Sequence, residues 1–302
     1  MKADLLILDG RHLMWRTSSA FSELSAKVNG QHIGTGGLYG FLNVAQIIYN
    51  RYGGRTVVAW EGSGNFRYDL YPDYKRRPEP DEDRLEVLHD MDCQELRLKA
   101  VLRALGVEQF LGKGCEADDV IGRLASSDVA KRGHTVIYSG DSDLRQLVND
   151  QVTCVSPGFR GKDTVYDKEA VIEKYGMLPK RLADLKALAG DSSDNIPGIH
   201  QIGEVTAKKL LAVYVDVEDV IRAAHDGDAD WPIAQRFRER IIENADNIRV
   251  FKKLTTILTD GGMDTIPTKR NKKRVIQYFQ AYRFRSLLAA AELNSLMSMG
   301  NG

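Results

Sequence analysis

The sequence predicts an α/β domain with a central, mainly parallel sheet, followed by a helical region. Three observations carry that prediction. Short apolar runs alternate with helical patterns through the first half of the chain. The clearest helix has a single apolar stripe, as a helix packed on a sheet requires. The strand-like runs then stop at about Gly176. The runs are Leu5–Leu8, Val57–Trp60, Val107–Leu111 and Thr135–Ser139, each bounded by glycine or polar residues. Runs this short, separated by helices, read as parallel strands buried on both faces. The stripe helix follows Glu116, with Ala117, Val120, Ile121, Leu124 and Ala125 on one side. Between Phe66 and about Ala100 the texture changes to Tyr71, Tyr74, Lys75, Arg76, Arg77, Pro78 and Pro80, then an acid-rich helical stretch. This reads as an excursion from the sheet, by default a solvated insertion. The expected division is residues 1–175, with the excursion at about 66–100, and a helical region over 176–302.

Composition narrows the function classes. A 302-residue chain with 43% hydrophobic residues can bury one large core or two smaller ones. It carries 42 basic and 42 acidic residues, so any charge-driven partner must be found through local segregation rather than net charge. Cys93, Cys115 and Cys154 are scattered with no CxxC pair, which argues against a disulfide framework and a cysteine zinc site and fits a reducing cytoplasm. No apolar run approaches the roughly 20 residues of a membrane span, and the N-terminus meets an acid too early for a secretory signal.

Three predicted strands run into acids. LLIL leads to Asp9, VVAW to Glu61, and TVIYSG to Asp141 with Asp143 two residues on. Ligands of open α/β sheets bind outside the carboxyl ends of the strands, so these acids point at one crevice. Glu116, Asp118 and Asp119 start the stripe helix and lie off its apolar face; Asp191 and Asp194 stand three apart in GDSSDN. Any one of these acids is an ordinary turn residue or helix cap. Their coincidence at strand ends and helix starts is what points to a metal site. Crowded carboxylates repel one another, and hard oxygen donors without histidine or cysteine suit Mg²⁺ or Mn²⁺. Two such ions could clamp the attacking and leaving oxygens of a phosphodiester.

Beyond Asp194, IPGIHQIGEVTAKKLL places a turn from Gly198 to Gly203 before an amphipathic helix. Glycines admit a phosphate to backbone N–H groups, a helix N-terminus favours an anion, and Lys208 and Lys209 add charge. Such a helix–hairpin–helix, at about 195–213, is expected to grip a DNA backbone without reading bases, with a plain helical hairpin bearing exposed lysines as the alternative. GTGGLYGF, Gly34 to Phe41, does not directly follow a predicted strand; it reads as a helix start, with a backbone contact to DNA as the alternative. Lys269 to Arg285 holds seven basic residues and no acid, a solvated face or a duplex contact.

LLILDGRHLMWR, GCEADDVIGRLA, YSGDSDLRQLV and LKALAGDSSDNIPGIHQIGEVTAKKLL together resemble the motifs of the 5′ nuclease family, as found in stand-alone bacteriophage 5′ nucleases and the 5′ nuclease domain of bacterial DNA polymerase I. The four match in order over about residues 5 to 212, and YRFRSLLAAAEL resembles the family's C-terminal helix. The resemblance implies a PIN-like domain with a helical arch, and a helical C-terminal region with a helix–three-turn–helix. It implies that Asp9, Glu116, Asp118, Asp119, Asp141, Asp143, Asp191 and Asp194 are metal ligands or their close supports, and that K⁺ binds backbone carbonyls near Gly198 to Gly203. Glu61 stands where the family commonly has Asp, with the spacing to Phe66 and Arg67 one residue shorter. PDYKRR resembles the arch's basic motif. With no polymerase region following, a stand-alone enzyme is implied.

The expected function is a metal-dependent 5′–3′ exonuclease and flap endonuclease in replication or repair. Asp9, Asp118 and Asp141 are expected in catalysis. Lys75 is expected to offset charge at the phosphoryl group, with Arg76 and Arg77 on the free 5′ strand, Tyr71 or Tyr74 stacking a base, and Arg67 also expected at the DNA. The partners are DNA with a free 5′ end or flap and RNA primers, handled by a cytoplasmic monomer of a bacterial or phage-infected cell. The alternatives are a catalytically silent binder of branched DNA, whose acids should have been lost, and an RNA-processing nuclease on the same fold.

Overall fold

A computed structural model describes residues 1–158 and 161–300. Its strands are β1 (Leu5–Asp9), β2 (Ser25–Val28), β3 (Gln31–Gly34), β4 (Arg55–Ser63), β5 (Glu108–Lys113), β6 (Thr135–Tyr138), β7 (Val152–Ser156), β8 (Thr164–Tyr166) and β9 (Met263–Ile266). The helices are α1 (Gly10–Ser18), α2 (Gly36–Tyr52), α3 (Phe66–Leu70), α4 (Glu82–Leu105), α5 (Ala117–Ala125), α6 (Asp128–Arg132), α7 (Lys168–Tyr175), α8 (Leu182–Ala189), α9 (Glu204–Val213), α10 (Val217–Asp226), α11 (Arg236–Glu243), α12 (Ala245–Thr255), α13 (Lys272–Ala281) and α14 (Ala290–Met299).

Seven strands form one sheet in the order β8-β7-β6-β1-β4-β5-β9. The five inner strands are parallel; β8 and β9 close the two edges antiparallel. β1, β6 and the centre of β4 are apolar because both faces are covered, whereas β5 carries Glu108 and the buried Gln109. Leu5 and Ile7 join a core with α5 and the helices α8 to α12, while Leu6 and Leu8 join one with α1, α2, α4, α13 and α14. That alternation is the period-two geometry of a strand.

Three expectations change. A strand does occur after Gly176: β9 returns from the helical region to pair with β5. The Gly34–Phe41 segment does follow a strand, since β3 ends at Gly34 and α2 starts at Gly36. The excursion at 66–100 is mostly the 24-residue helix α4, capped by Asp81 and ended by left-handed Gly106. Its first half is exposed, but Leu98, Val101, Leu102 and Leu105 are fully buried in the core, so only residues 76 to about 90 stand clear of it. Among the described residues no helix is long and apolar enough to cross a membrane.

Candidate active site

The ends of β6, β1, β4 and β5, in that spatial order, deliver Asp141, Asp9, Glu61 and Glu116 to one edge of the sheet. Asp9 ends β1 and caps α1: its Oδ1 accepts the His12 amide at 3.2 Å, and its Oδ2 accepts the Ser139 hydroxyl at 2.7 Å. The same Ser139 oxygen accepts the Asp141 amide at 3.0 Å, so one hydroxyl fixes both acids. Asp141 in turn accepts the Asp143 amide at 2.8 Å. Glu61 Oε2 accepts the Ala117 amide at 3.1 Å, which holds it against the start of α5.

Asp118 faces this group with no hydrogen-bond donor directed at it among the described residues. Burial, then the nearby charges of Asp141, Asp9 and Glu116, push its carboxyl well above the usual range. Burial also raises Asp9, partly offset by Ser139, and raises Glu61, with Glu116 and Asp9 adding repulsion. An arrangement that pushes carboxyls toward their neutral forms suits a multivalent cation, which would stabilise the charged forms.

Asp119 behaves differently from its neighbour. It is fully buried, its two oxygens hold Arg67 at 2.6 and 2.9 Å, and it also accepts the amides of Glu116 and Leu258 at 3.0 and 2.8 Å. Its oxygens are occupied, so Asp119 supports the start of α5 rather than facing the crevice. Arg67, expected at DNA, is only 2% exposed and is further held by the carbonyls of Leu254 and Thr256. Tyr74, expected to contact the strand, is 2% exposed as well. Its hydroxyl lies 3.1 Å from Glu116 Oε2 and 3.2 Å from Asp194 Oδ2. Both expectations of DNA contact are therefore corrected: burial and internal pairing take these side chains out of reach of a strand.

Lys75 enters the crevice. Its Nζ lies 2.8 Å from Glu116 Oε1 and 4.0 Å from Asp194 Oδ1, and its backbone takes a left-handed φ of 52°. Asn65 holds the same Glu116 oxygen at 3.0 Å. Although burial opposes its charge, Glu116 and Asp194 keep the Lys75 ammonium protonated, its pKa above the usual value. Arg76 and Arg77 are exposed; Arg76 pairs with Asp73 at 2.9 Å.

A second acid group lies alongside. Asp143, Asp191 and Asp194 can each offer an oxygen within 4.8 Å of the others, a spacing that could hold a metal ion. Lys186, which the sequence reading did not single out, bonds both Asp143 and Asp191. Burial raises Asp191, but Lys186 and Ser193 outweigh it and hold this carboxyl below its usual range. Burial keeps Asp143 and Asp194 raised.

Next to this group α8 and α9 flank the turn from Gly198 to Gly203. Gly198 has φ +64°, and a Cβ there would meet the Gly190 amide nitrogen at 2.3 Å, so the glycine is needed for the close return of the chain. Gly203 caps α9 with its backbone alone. Lys208 is half-buried and pairs with Glu204 at 2.6 Å; Lys209 is exposed.

Profiles described as "5′-3′ exonuclease, N-terminal resolvase-like domain" and "5′-3′ exonuclease, C-terminal SAM fold" match residues 4–176 and 177–275. A "5′-3′ exonuclease" of Aquifex aeolicus is 31% identical over 85% of this chain and 82% of its own length. DNA polymerase I of Bacillus subtilis is 32% identical over 94% of this chain, which spans about a third (32%) of that protein. Among solved structures, a bacteriophage T5 flap endonuclease, in a complex with DNA and metal ions, aligns with a TM-score of 0.68 at 17% identity, covering 99% of each chain.

Proposed function

This chain belongs to the 5′–3′ exonuclease family, and on that premise we propose that it hydrolyses DNA phosphodiesters at free 5′ ends and at the base of 5′ flaps. The carrying observation is the convergence of Asp9, Glu61, Glu116, Asp118 and Asp141 at the carboxyl ends of four parallel strands, with a second acid group alongside. The donors are hard oxygens, which fit Mg²⁺ or Mn²⁺ better than Zn²⁺. Asp9, Asp118, Asp141 and Glu116 would hold one ion, with Glu61 close by; Asp143, Asp191 and Asp194 would hold the other. When bound, the two ions supply positive charge beside the attacking and leaving oxygens of the phosphodiester.

The chain's own groups do the rest. Ser139 fixes the spacing of Asp9 and Asp141. Lys75, drawn in by Glu116, presents its ammonium to a phosphoryl oxygen as charge develops there. Arg76 and Arg77, exposed at the foot of the excursion, hold the free 5′ strand. The backbone of the hairpin between Gly198 and Gly203, aided by Lys208, Lys209 and K⁺ on its carbonyls, holds the duplex beside the cut. In this reading residues 1–175 form the nuclease unit and 176–302 the duplex-binding unit. The protein works as a monomer on flaps and RNA primers in replication or repair.

The direct test is a 5′-labelled flap substrate incubated with Mg²⁺ or with chelator. Cleavage near the flap base that vanishes with chelator is the expected result. Intact substrate at saturating Mg²⁺ overturns the reading.

A further inference from the structure

The strongly basic segment Lys269–Arg285 lies away from the acid crevice. β9 runs antiparallel to β5, with Met263 opposite Gly112 and Ile266 opposite Gln109. It therefore carries the chain from the acid end of the sheet toward the other end. There the Lys269 amide bonds the Arg103 carbonyl at 3.1 Å and the Asn271 amide bonds that of Ala104 at 2.7 Å, which pins the basic segment to the end of α4. Between α4 and α13 a cleft of about 360 Å³ opens, lined by Lys99, Arg103, Lys269, Asn271, Arg274 and Tyr278.

The charge in this cleft is poorly compensated. Lys99 is answered by Glu95 at 2.6 Å, and Arg274 bonds the Tyr278 hydroxyl at 2.9 Å. Arg103 and Lys269 in the cleft, and Lys273 in the first turn of α13 just outside its lining, are exposed and have no acidic partner among the described residues, and no acid occurs from Thr265 to Ala291. In a chain of zero net charge this is a marked local excess. The N-terminus of α13, capped by the Asn271 side chain, adds free amides at the same place. Two more exposed arginines, Arg283 and Arg285, follow the far end of α13, about 15 Å along for its ten residues. A row of that length exceeds what one free phosphate needs and matches several successive backbone phosphates.

We propose that the cleft between α4 and α13 binds the phosphate backbone of a nucleic-acid segment other than the one being cut, such as a remote arm of a branched substrate. This rests on the nuclease reading above. The six residues of β5 span about 20 Å, so a phosphate held here is not the scissile one. A second duplex arm must extend at least about six base pairs to reach it, at roughly 3.4 Å per pair.

The test compares wild type with an Arg103→Ala, Lys269→Ala, Lys273→Ala variant, using two flap substrates whose second arm is about 5 or about 15 base pairs. Binding is titrated by fluorescence anisotropy at several salt concentrations, with Ca²⁺ replacing Mg²⁺. The expected result is a log–log salt slope reduced by about 2 to 3 on the long arm and unchanged on the short arm, at about 0.9 per lost phosphate contact. Single-turnover cleavage of the short-arm substrate should stay at the wild-type rate. Equal slopes for both proteins on the long arm overturn the proposal. So does inorganic tripolyphosphate raising the melting point of wild type alone while the DNA slopes coincide, which assigns the cleft to free phosphates. If the triple variant melts early, Lys269→Glu replaces it, with the same slopes deciding. Wild type that binds but does not cleave in Mg²⁺ strikes the nuclease reading, whereas normal cleavage with unchanged slopes strikes only the cleft.

Discussion

Among the described residues, Asp9, Asp118 and Asp141 converge with no lysine or arginine bonded to any of them, whereas Asp143 and Asp191 close on the Lys186 ammonium. The two groups stand side by side, linked through Tyr74 and Lys75, which reach both Glu116 and Asp194. Their charge is answered differently. In the first group repulsion is left standing in the folded chain, so a divalent ion gains the most by entering it. In the second an internal cation already neutralises part of the charge, and an ion must displace or share that ammonium. The same contrast occurs within one dipeptide: Asp118 is left for the crevice, while Asp119 is consumed by Arg67.

The largest effect should come from Asp118→Asn. It removes a charged oxygen from the less compensated group while leaving the Arg67–Asp119 pair in place. Loss of several kcal/mol of transition-state stabilisation corresponds to a fall in turnover on the order of 10⁴-fold. Flap binding in Ca²⁺ should persist, since the hairpin and basic surfaces are untouched. Near-normal turnover at saturating Mg²⁺ would show that the unanswered group is not the catalytic one.

The neighbouring pair should fail in a different way. Arg67→Ala leaves Asp119 buried without its partner, and breaking one half of a buried ion pair costs about 3–5 kcal/mol. The expected outcome is a lower denaturant midpoint, with DNA affinity per folded molecule unchanged. A variant of full stability that binds DNA poorly would restore Arg67 to the DNA surface and undo the correction made above.

Lys75→Ala tests whether the cation between the groups acts in chemistry or only in neutralisation. Removing a preorganised donor from a reacting oxygen costs on the order of 10²-fold or more in rate. Single-turnover rates at saturating enzyme isolate that step, because binding then drops out. A wild-type rate on bound flap would reduce Lys75 to a counter-ion of Glu116, equivalent to Lys186 in the other group.

How much of this was legible in the sequence depends on what each residue answers to. β1, β4 and β6 are readable because burial on both faces makes their centres continuous apolar runs, whereas β5 shows only Val107, Phe110 and Leu111 around the polar Glu108 and Gln109. The edge strands β8 and β9 are short and largely exposed, so they carry no such run. The β2–β3 hairpin did leave a signal, the Asn29-Gly30 turn with both residues at positive φ, which a search for hairpin turns would have found. The crevice acids could be placed because strand ends are local features. Their partners could not: Ser139 meets Asp9 across 130 residues, Lys186 meets Asp143 across 43, and Arg67 meets Asp119 across 52. Nothing in the sequence near Arg67 hints at the buried acid waiting for it in another segment.

The smallest predicted effect is also the sharpest test of the contrast, because its sign differs between the groups. Burial and neighbouring acids raise Asp118, so in metal-free protein its folded pKa exceeds the unfolded value. The stability it contributes is fully present below the unfolded carboxylate pKa and is lost as pH rises through the folded pKa. Asp191 is depressed, its burial outweighed by Lys186 and Ser193, so its contribution is present above the unfolded pKa and lost as pH falls through the folded one. With chelator at neutral pH, Asp118→Asn should therefore stabilise the protein. That gain should fade toward pH 4. Asp191→Asn should destabilise under the same conditions, by an amount that shrinks as the acid range is entered. Saturating Mg²⁺ should reverse the first sign, because ligand binding to the native state then favours wild type. Urea unfolding at several pH values, with and without Mg²⁺, reads all of these. If Asp118→Asn loses stability in chelator at every pH, its carboxylate is already satisfied within the fold, and the difference between the two acid groups disappears.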